Sequence, residues 1–180
     1  MQTQTKPKLA TIWLSGCSGC HMSLLDMDEL LLELAPKVQL VYGPLVDIKT
    51  FPENVNVTLI EGAVANEEQL ELLKQARTRT KLLVSMGDCA VTGNVTALRN
   101  VLVEGDKAVL HRAFVETADA NPEVPTGVPK LLKTVYPLHE VVKVDYFIPG
   151  CPPPAGNIAY VLTELLAGRV PQMENKSKYG

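Results

Sequence analysis

The sequence lacks the marks of several protein classes. Its net charge is only −3 over 180 residues and its basic residues are scattered, so it offers no basic face of the kind that binds nucleic acid. No apolar run reaches the length of a membrane span, and the richest one, Leu24–Leu34, is interrupted by acidic residues. The first residues hold neither the apolar segment nor the paired arginines of an export signal. A cytoplasmic protein without a membrane span is therefore expected.

The composition is that of an ordinary globular domain. Hydrophobic residues make up 46% of the chain and charged residues 21%, which is enough apolar material for a real core. A chain of this length is expected to form a single domain, residues 1–180.

Short apolar runs predict buried strands. They are rich in Val, Ile and Leu without strict alternation, which is typical of parallel strands covered on both faces. The runs are Leu9–Leu14, Val38–Tyr42, Val55–Ile60, Lys81–Met86 and Val144–Ile148. Helices are predicted at Met22–Leu34, from a capping Asn66 to about Thr78, and at Asn157–Ala167. Strands that alternate with helices predict an α/β fold with a doubly wound parallel sheet.

One stretch before the last predicted strand does not fit this alternation. Residues 101–142 contain several prolines and are expected to form an irregular insertion, with one helix near Lys107–Ala118. A long irregular segment inside a compact domain is often a binding surface.

The four cysteines carry the chemistry that the sequence suggests. In a reducing cytoplasm they are expected to bind metal or to do redox work rather than form disulfides. Cys17 and Cys20 follow the first predicted strand, Cys89 follows the fourth and Cys151 follows the last. In an open α/β sheet, the carboxyl ends of the strands form the edge where ligands bind. The four thiols are therefore expected to meet at one site.

Thiolates suit iron–sulfur clusters or zinc. A structural zinc site usually takes two close pairs of ligands, whereas here one pair is joined by two distant single cysteines, so the spacing favours a cluster. Two alternatives stay open. The Cys17–Cys20 pair would suit a thioredoxin-like thiol exchanger, and the whole set would suit a zinc-stabilised binding module.

The motifs around these cysteines resemble a known family. Four segments in this order resemble the small subunit of [NiFe] hydrogenases. They are Trp13-Leu14 followed by SGCSGC, then EGAV from Glu61, then GDCAVTGN around Cys89, and PGCPPP around Cys151. The related small iron–sulfur subunit of NADH:quinone oxidoreductase shares this layout. The resemblance runs from about Leu9 to Pro171 and is greatest to the cytoplasmic NAD-linked hydrogenases.

The resemblance implies a flavodoxin-like fold and one [4Fe–4S] cluster ligated by Cys17, Cys20, Cys89 and Cys151. It implies that the Ni–Fe centre lies in a large-subunit partner, and that electrons pass through the cluster between that centre and the iron–sulfur and flavin subunits of a NAD-linked diaphorase. The chain would thus be a subunit of an oxidoreductase and an obligate heteromer. A flavin has been considered for such subunits, but no flavin phosphate loop is evident here, so FMN is not expected.

A related quinone- or F420-linked redox complex is the alternative within this class.

Two further residues are candidates for a functional role. Glu61 follows a strand at the ligand-binding edge and is predicted to serve in proton traffic or at the partner interface, with an ordinary loop glutamate as the alternative. His21 follows the second cysteine and is expected to be a surface residue at a helix start; a bond to a cluster sulfur or contact with the partner are its other interpretations.

Overall fold

A computed structural model describes residues 6–173 of the chain. The strands of this part are β1 (Lys8–Trp13), β2 (Gln39–Tyr42), β3 (Val55–Glu61), β4 (Val64–Asn66), β5 (Thr80–Met86), β6 (Leu131–Tyr136) and β7 (Tyr146–Ile148). The α-helices are α1 (Gly19–Leu25), α2 (Glu29–Leu34), α3 (Glu67–Arg79), α4 (Asp88–Thr92), α5 (Gly105–His111) and α6 (Ala155–Leu166). Within residues 6–173, no helix is both long and apolar enough to cross a bilayer.

The central sheet has five strands in the order β2-β1-β3-β5-β7, all paired in parallel. Counted among themselves these strands run 2-1-3-4-5, which is the flavodoxin order with its switch point between β1 and β3. The predicted α/β, doubly wound, flavodoxin-like fold is confirmed. All five predicted strands are present, with ends shifted by at most a few residues.

Apolar layers cover both faces of the sheet. Neighbouring residues on a strand point to opposite faces, so Leu59 packs in one layer and Ile60 in the other. Helices α2 and α6 contribute to the layer that holds Leu59, while Leu73 and Ala76 of α3 contribute to the second layer. This double burial explains why the strands appear in the sequence as continuous apolar runs rather than alternating ones.

Helix α3 begins where the sequence predicts. The Asn66 side chain accepts a hydrogen bond of 2.8 Å from the backbone N–H of Gln69, which satisfies one of the free amides of the first turn. Glu67 and Glu68 lie in that turn and Arg77 and Arg79 in the last one, as the helix dipole favours.

The prediction of one helix over Met22–Leu34 is wrong. The structure has two helices, α1 and α2, with a break at residues 26–28. Asp28 has a φ of 48° and a ψ of −119°, which lies outside the right-handed helical region, so the helix cannot continue through this residue. The leucines keep their helical spacing across the break, so periodicity alone did not reveal it.

The insertion at residues 101–142 is more ordered than expected. Helix α5 and a wider helical turn at Arg112–Glu116 occupy the place of the predicted helix. Strand β6 lies in the part expected to be irregular and pairs antiparallel with the short β4, so the prediction of an irregular segment is wrong there. Its partner is distant in sequence, and prolines lie on both sides of β6, which hid the strand.

Candidate metal centre

The register of the sheet brings the cysteine loops to one level. Trp13 pairs with Glu61, Glu61 with Met86, and Met86 with Ile148. These residues are the last of β1, β3, β5 and β7. Each loop that carries a cysteine therefore leaves the sheet at the same edge.

The loop after β1 is held by the loop after β3. Ser15 and Ala63 exchange backbone hydrogen bonds of 3.0 and 2.8 Å. Gly62 has a φ of 90°, and a side chain there would lie 2.7 Å from the Ser15 carbonyl oxygen, so only glycine permits this close approach. Beyond this contact Cys17 is exposed, whereas Cys20 is buried in the first turn of α1.

Gly87 allows the β5 loop to approach Cys20. It has a φ of 85°, and a Cβ added to it would lie 2.1 Å from the Cys20 Sγ. Glycine is thus required both by the backbone conformation and by the space that the thiol occupies. Cys89 follows two residues later, buried in the first turn of α4.

The loop that carries Cys151 is tied to its neighbours by hydrogen bonds. The Gly87 N–H donates to the Ile148 carbonyl at 2.8 Å, and the Asp88 N–H to the Gly150 carbonyl at 3.0 Å. The Asp88 Oδ1 accepts from the Gly150 N–H at 2.6 Å. From the other side, the Ser23 hydroxyl of α1 donates to the Pro153 carbonyl.

These loops enclose a cavity of about 80 Å³. Its wall contains all four cysteines together with Glu61, and it is completed by backbone-rich positions; the lining residues are Cys17, Gly19, Cys20, Glu61, Asp88, Cys89, Gly150, Cys151 and Pro152. Within residues 6–173, no three His, Cys, Asp or Glu side chains are gathered as a single-ion site requires. All four cysteines belong to the wall of the cavity.

Burial makes the two enclosed thiols, Cys20 and Cys89, hard to ionise. Burial, and then the neighbouring Glu61 and the other cysteines, raise the pKa of Cys20 to about 12. Burial and the neighbouring thiols Cys151 and Cys17 also raise the pKa of Cys89. Four thiolates in one small space repel each other, so the site favours deprotonation only when a cation takes the place of the protons.

Glu61 and His21 form a buried pair behind the cysteines. The Glu61 Oε2 accepts the backbone N–H of His21 at 2.8 Å and lies 2.6 Å from its Nδ1. Glu61 is 2% exposed and His21 7%, so the expectation that His21 is a surface residue is wrong. Its ring meets Trp13 edge-on with centroids 5.3 Å apart, and its buried Nε2 has no hydrogen-bond partner among residues 6–173. The contact between its Nδ1 and the buried Glu61 carboxylate holds the His21 ring in the interior.

The structure brings every predicted site residue to the same cavity. Cys17, Cys20, Cys89, Cys151 and Glu61 all line it. Asp88 stands directly before Cys89, a place from which it is expected to shape the loop, and its Oδ1 accepts the N–H of Gly150, the residue before Cys151. The sequence predicts that the GDC and PGC segments lie at one edge of the sheet, but it does not predict the hydrogen bond that joins them.

The fold is of the flavodoxin type, and the edge of its sheet carries a four-cysteine cavity. The chain belongs to the family of the NADH ubiquinone oxidoreductase 20 kDa subunit, whose model matches residues 17–165. The matched stretch includes all four cysteines.

Curated relatives are hydrogenase subunits. The chain is 46% identical over 170 residues to the NAD-reducing hydrogenase HoxS subunit delta of Cupriavidus necator, covering 91% of this chain and 80% of that one. It is 37% identical to a subunit of the F420-non-reducing hydrogenase of Methanocaldococcus jannaschii, covering 94% of this chain but only 59% of the relative.

A solved structure agrees with these matches. One chain of a NAD+-reducing [NiFe] hydrogenase in the H2-reduced state superposes with a TM-score of 0.92 at 41% identity, covering 98% of this chain and all of the other. The predicted resemblance to [NiFe] hydrogenase small subunits is therefore confirmed, and with it the prediction of an oxidoreductase subunit.

Proposed function

We propose that Cys17, Cys20, Cys89 and Cys151 ligate one [4Fe–4S] cluster, and that the chain is the electron-transfer small subunit of a NAD-linked [NiFe] hydrogenase. The observation that carries the proposal is the meeting of four cysteines from three separate loops around one cavity. The similarity to a chain of a NAD+-reducing [NiFe] hydrogenase over nearly the whole length supports the subtype.

The residues present fit such a cluster. An all-thiol ligand set is what iron–sulfur clusters use. One close pair of cysteines and two distant single cysteines around the same cavity suit a cluster, whereas a structural zinc site usually takes two close pairs of ligands. The raised pKa values of Cys20 and Cys89 mean that loading the site releases protons, as ligation by thiolate requires.

Residues of this chain would bind the proposed cluster, orient it and shield it from water. Cys20 and Cys89, each only 8% exposed, would hold the cluster from the buried side. The glycine at position 87 brings their two loops into contact, and the apolar layer around Cys20 keeps water from that side. When bound, a [4Fe–4S] cluster supplies one-electron transfer, tuned by burial and by hydrogen bonds to its sulfurs.

The exposed side of the cavity is where we expect a partner protein to bind. Cys17 and Cys151 are exposed, and so are large apolar side chains of the elements next to them, namely Trp13 at the end of β1, Met22 and Leu25 of α1 and Phe147 of β7. Exposed apolar groups around a site mark a protein interface. We infer that a large subunit with the Ni–Fe centre covers this face, and that the iron–sulfur and flavin subunits of a diaphorase complete the complex.

Three further predictions belong to the same proposal. Residues 1–180 act as one iron–sulfur domain. Its place is the cytoplasm, where the NAD of the proposed reaction is found. A role of Glu61 in proton traffic or at the partner interface stays a prediction, although its burial within this chain favours the first of the two.

The second candidate is the same subunit in a complex that is not NAD-linked. Four relatives from methanogens are subunits of F420-non-reducing hydrogenases at 36–40% identity, and the chain spans only 54–60% of their lengths. A thioredoxin-like exchanger is disfavoured because it needs only the Cys17–Cys20 pair and leaves the placement of Cys89 and Cys151 around the same cavity unexplained.

Metal analysis of cysteine variants tests the proposal. In the wild-type chain, purified anaerobically with its co-purifying partners, about four irons, four sulfides and an EPR signal after dithionite reduction should be found in addition to those of the partners' own metal centres. Cys89→Ala should lose the signal. Val91→Ala in the same short helix α4 is the matched control and should keep it.

Three results would contradict the proposal or narrow it. Zinc in place of iron, or a reversible Cys17–Cys20 disulfide without metal, would overturn the cluster. Co-purification with a hydrogenase large subunit but no NAD-linked activity would favour the second candidate.

A further inference from the structure

Asp88 joins the two loops that carry Cys89 and Cys151. Its backbone N–H donates to the Gly150 carbonyl, and its Oδ1 accepts the Gly150 N–H at 2.6 Å. The partners are 62 residues apart in the chain, yet each is directly followed by a cysteine of the cavity. One side chain therefore fixes the spacing of two proposed ligands.

The geometry of Gly150 makes this contact specific. Gly150 has a φ of 137°, and a side chain there would lie 2.6 Å from the Pro153 Cα. This position therefore requires glycine, and the direction of its N–H follows from that turn. The Asp88 carboxylate takes up this N–H, which is then not available to a sulfur of the cavity.

The bond to Gly150 uses one oxygen of the Asp88 carboxylate as an acceptor. An asparagine oxygen would accept the same N–H, because both side chains place an acceptor at the same position. Asp88 is 4% exposed and lies in the wall of the cavity with the four thiols. A buried negative charge acts strongly on its neighbours, since little water screens it.

We propose that Asp88 is a positioning residue that ties the Cys89 and Cys151 loops together, and that its charge lowers the reduction potential of the cluster. This inference rests on the proposed function. Reduction adds one electron, delivered by the redox partner, without making or breaking a bond. The added negative charge is disfavoured beside the Asp88 carboxylate, so the oxidised form is favoured.

The neighbouring residues act in the same direction. Hydrogen bonds to sulfur raise the potential of a cluster by stabilising the reduced form. The loop around Cys151 offers few donors, because Pro149, Pro152, Pro153 and Pro154 have no N–H and the Gly150 N–H is held by Asp88. Asp88 thus completes a loop that keeps the potential low, as electron exchange between hydrogen and a nicotinamide needs.

Two substitutions separate the charge from the bond. Asp88→Asn keeps an acceptor for Gly150 but removes the charge, so it should retain full iron content and shift the midpoint potential upward. Asp88→Ala removes both, so it should also lose cluster faster on dilution. Asp145→Asn is the matched control: Asp145 also accepts a backbone N–H, from Leu83 at 2.8 Å, but it lies outside the cavity.

The experiment is an EPR-monitored redox titration of the anaerobic complex, following the signal that Cys89→Ala abolishes. An upward shift in Asp88→Asn at unchanged iron content, with no shift in Asp145→Asn, is expected. Equal potentials in wild type and Asp88→Asn would overturn the role of the charge.

Amide hydrogen exchange at Gly150 tests the positioning role without metal. Protection in wild type and Asp88→Asn, lost in Asp88→Ala, is expected; equal protection in all three would overturn the bridge. A wild-type protein without iron would overturn the proposed function instead, and the exchange data would still decide the bridge.

Discussion

The two sides of the cysteine cavity differ in their surroundings. Cys20 and Cys89 are each 8% exposed, and they sit in the first turns of helices against the core. Cys17 and Cys151 are exposed in loops rich in glycine and proline. The buried side is part of the folded core, whereas the exposed side is left for another molecule to cover.

This difference separates two tasks of the site. The buried pair anchors whatever the cavity holds, and its burial raises the pKa of both thiols. The exposed pair brings the site to the surface, where electron exchange with a partner requires short distances. Variants that act on one side only should therefore fail in different ways.

The largest expected difference concerns rescue by an external thiol. Cys89→Ala should take up no cluster on reconstitution with iron and sulfide, and added 2-mercaptoethanol should not restore it, because the position is enclosed. Cys151→Ala should regain a large part of its iron when the small thiol is present. Iron content and visible absorbance measure both. Equal rescue at the two positions would show that burial does not distinguish them.

Alkylation rates of the metal-free chain should differ by roughly a hundredfold. At pH 8 a thiol with a pKa of about 12 is about one part in 10⁴ ionised, and the greater nucleophilicity of its thiolate recovers only part of that deficit. Cys20 should therefore react far more slowly with iodoacetamide than the exposed Cys17 beside it. Its rate should also rise about tenfold per pH unit from pH 9 to 11.

Mass spectrometry of quenched samples gives both rates, and urea-unfolded chain serves as the control in which the difference disappears. Equal rates in the folded chain would contradict the burial of Cys20.

Gly87→Ala tests the contact between the β5 loop and the buried pair. The new Cβ would lie 2.1 Å from the Cys20 Sγ, so the loop must move, at a cost of about 1–3 kcal/mol beyond the backbone strain. Gly127→Ala is the matched control, because Gly127 also has a positive φ, 76°, but open space around it.

Urea unfolding and iron content should separate the two glycine variants. Gly127→Ala should lose about 1 kcal/mol from the left-handed backbone alone and keep its iron. A similar loss of stability and iron in both variants would mean that the Cys20 contact is unimportant.

The smallest effect is expected away from the cavity. Asn66→Ala removes the cap of α3 and should lower the free energy of unfolding by about 1 kcal/mol. Iron content should not change, since Asn66 does not line the cavity. Loss of iron in this variant would show that the site is sensitive to any loss of stability.

The sequence predicted the features that depend on local patterns and on the geometry of a parallel sheet. Doubly buried strands such as Val55–Ile60 appear as apolar runs, and parallel strands place their following loops at one edge, so the meeting of Cys17, Cys89 and Cys151 could be predicted. Features that depend on contacts between distant segments could not. The burial of His21 depends on Glu61, and strand β6 depends on pairing with β4. The break between α1 and α2 depends on the backbone of one residue, Asp28.

Anomalous X-ray diffraction at the iron absorption edge, on anaerobically grown crystals of the complex, tests the central claim most directly. We predict a compact group of strong iron peaks inside the cavity, bounded by the sulfurs of Cys17, Cys20, Cys89 and Cys151. A single peak at the zinc edge, or a cavity closed by a disulfide, would contradict the assignment of a cluster to these four cysteines.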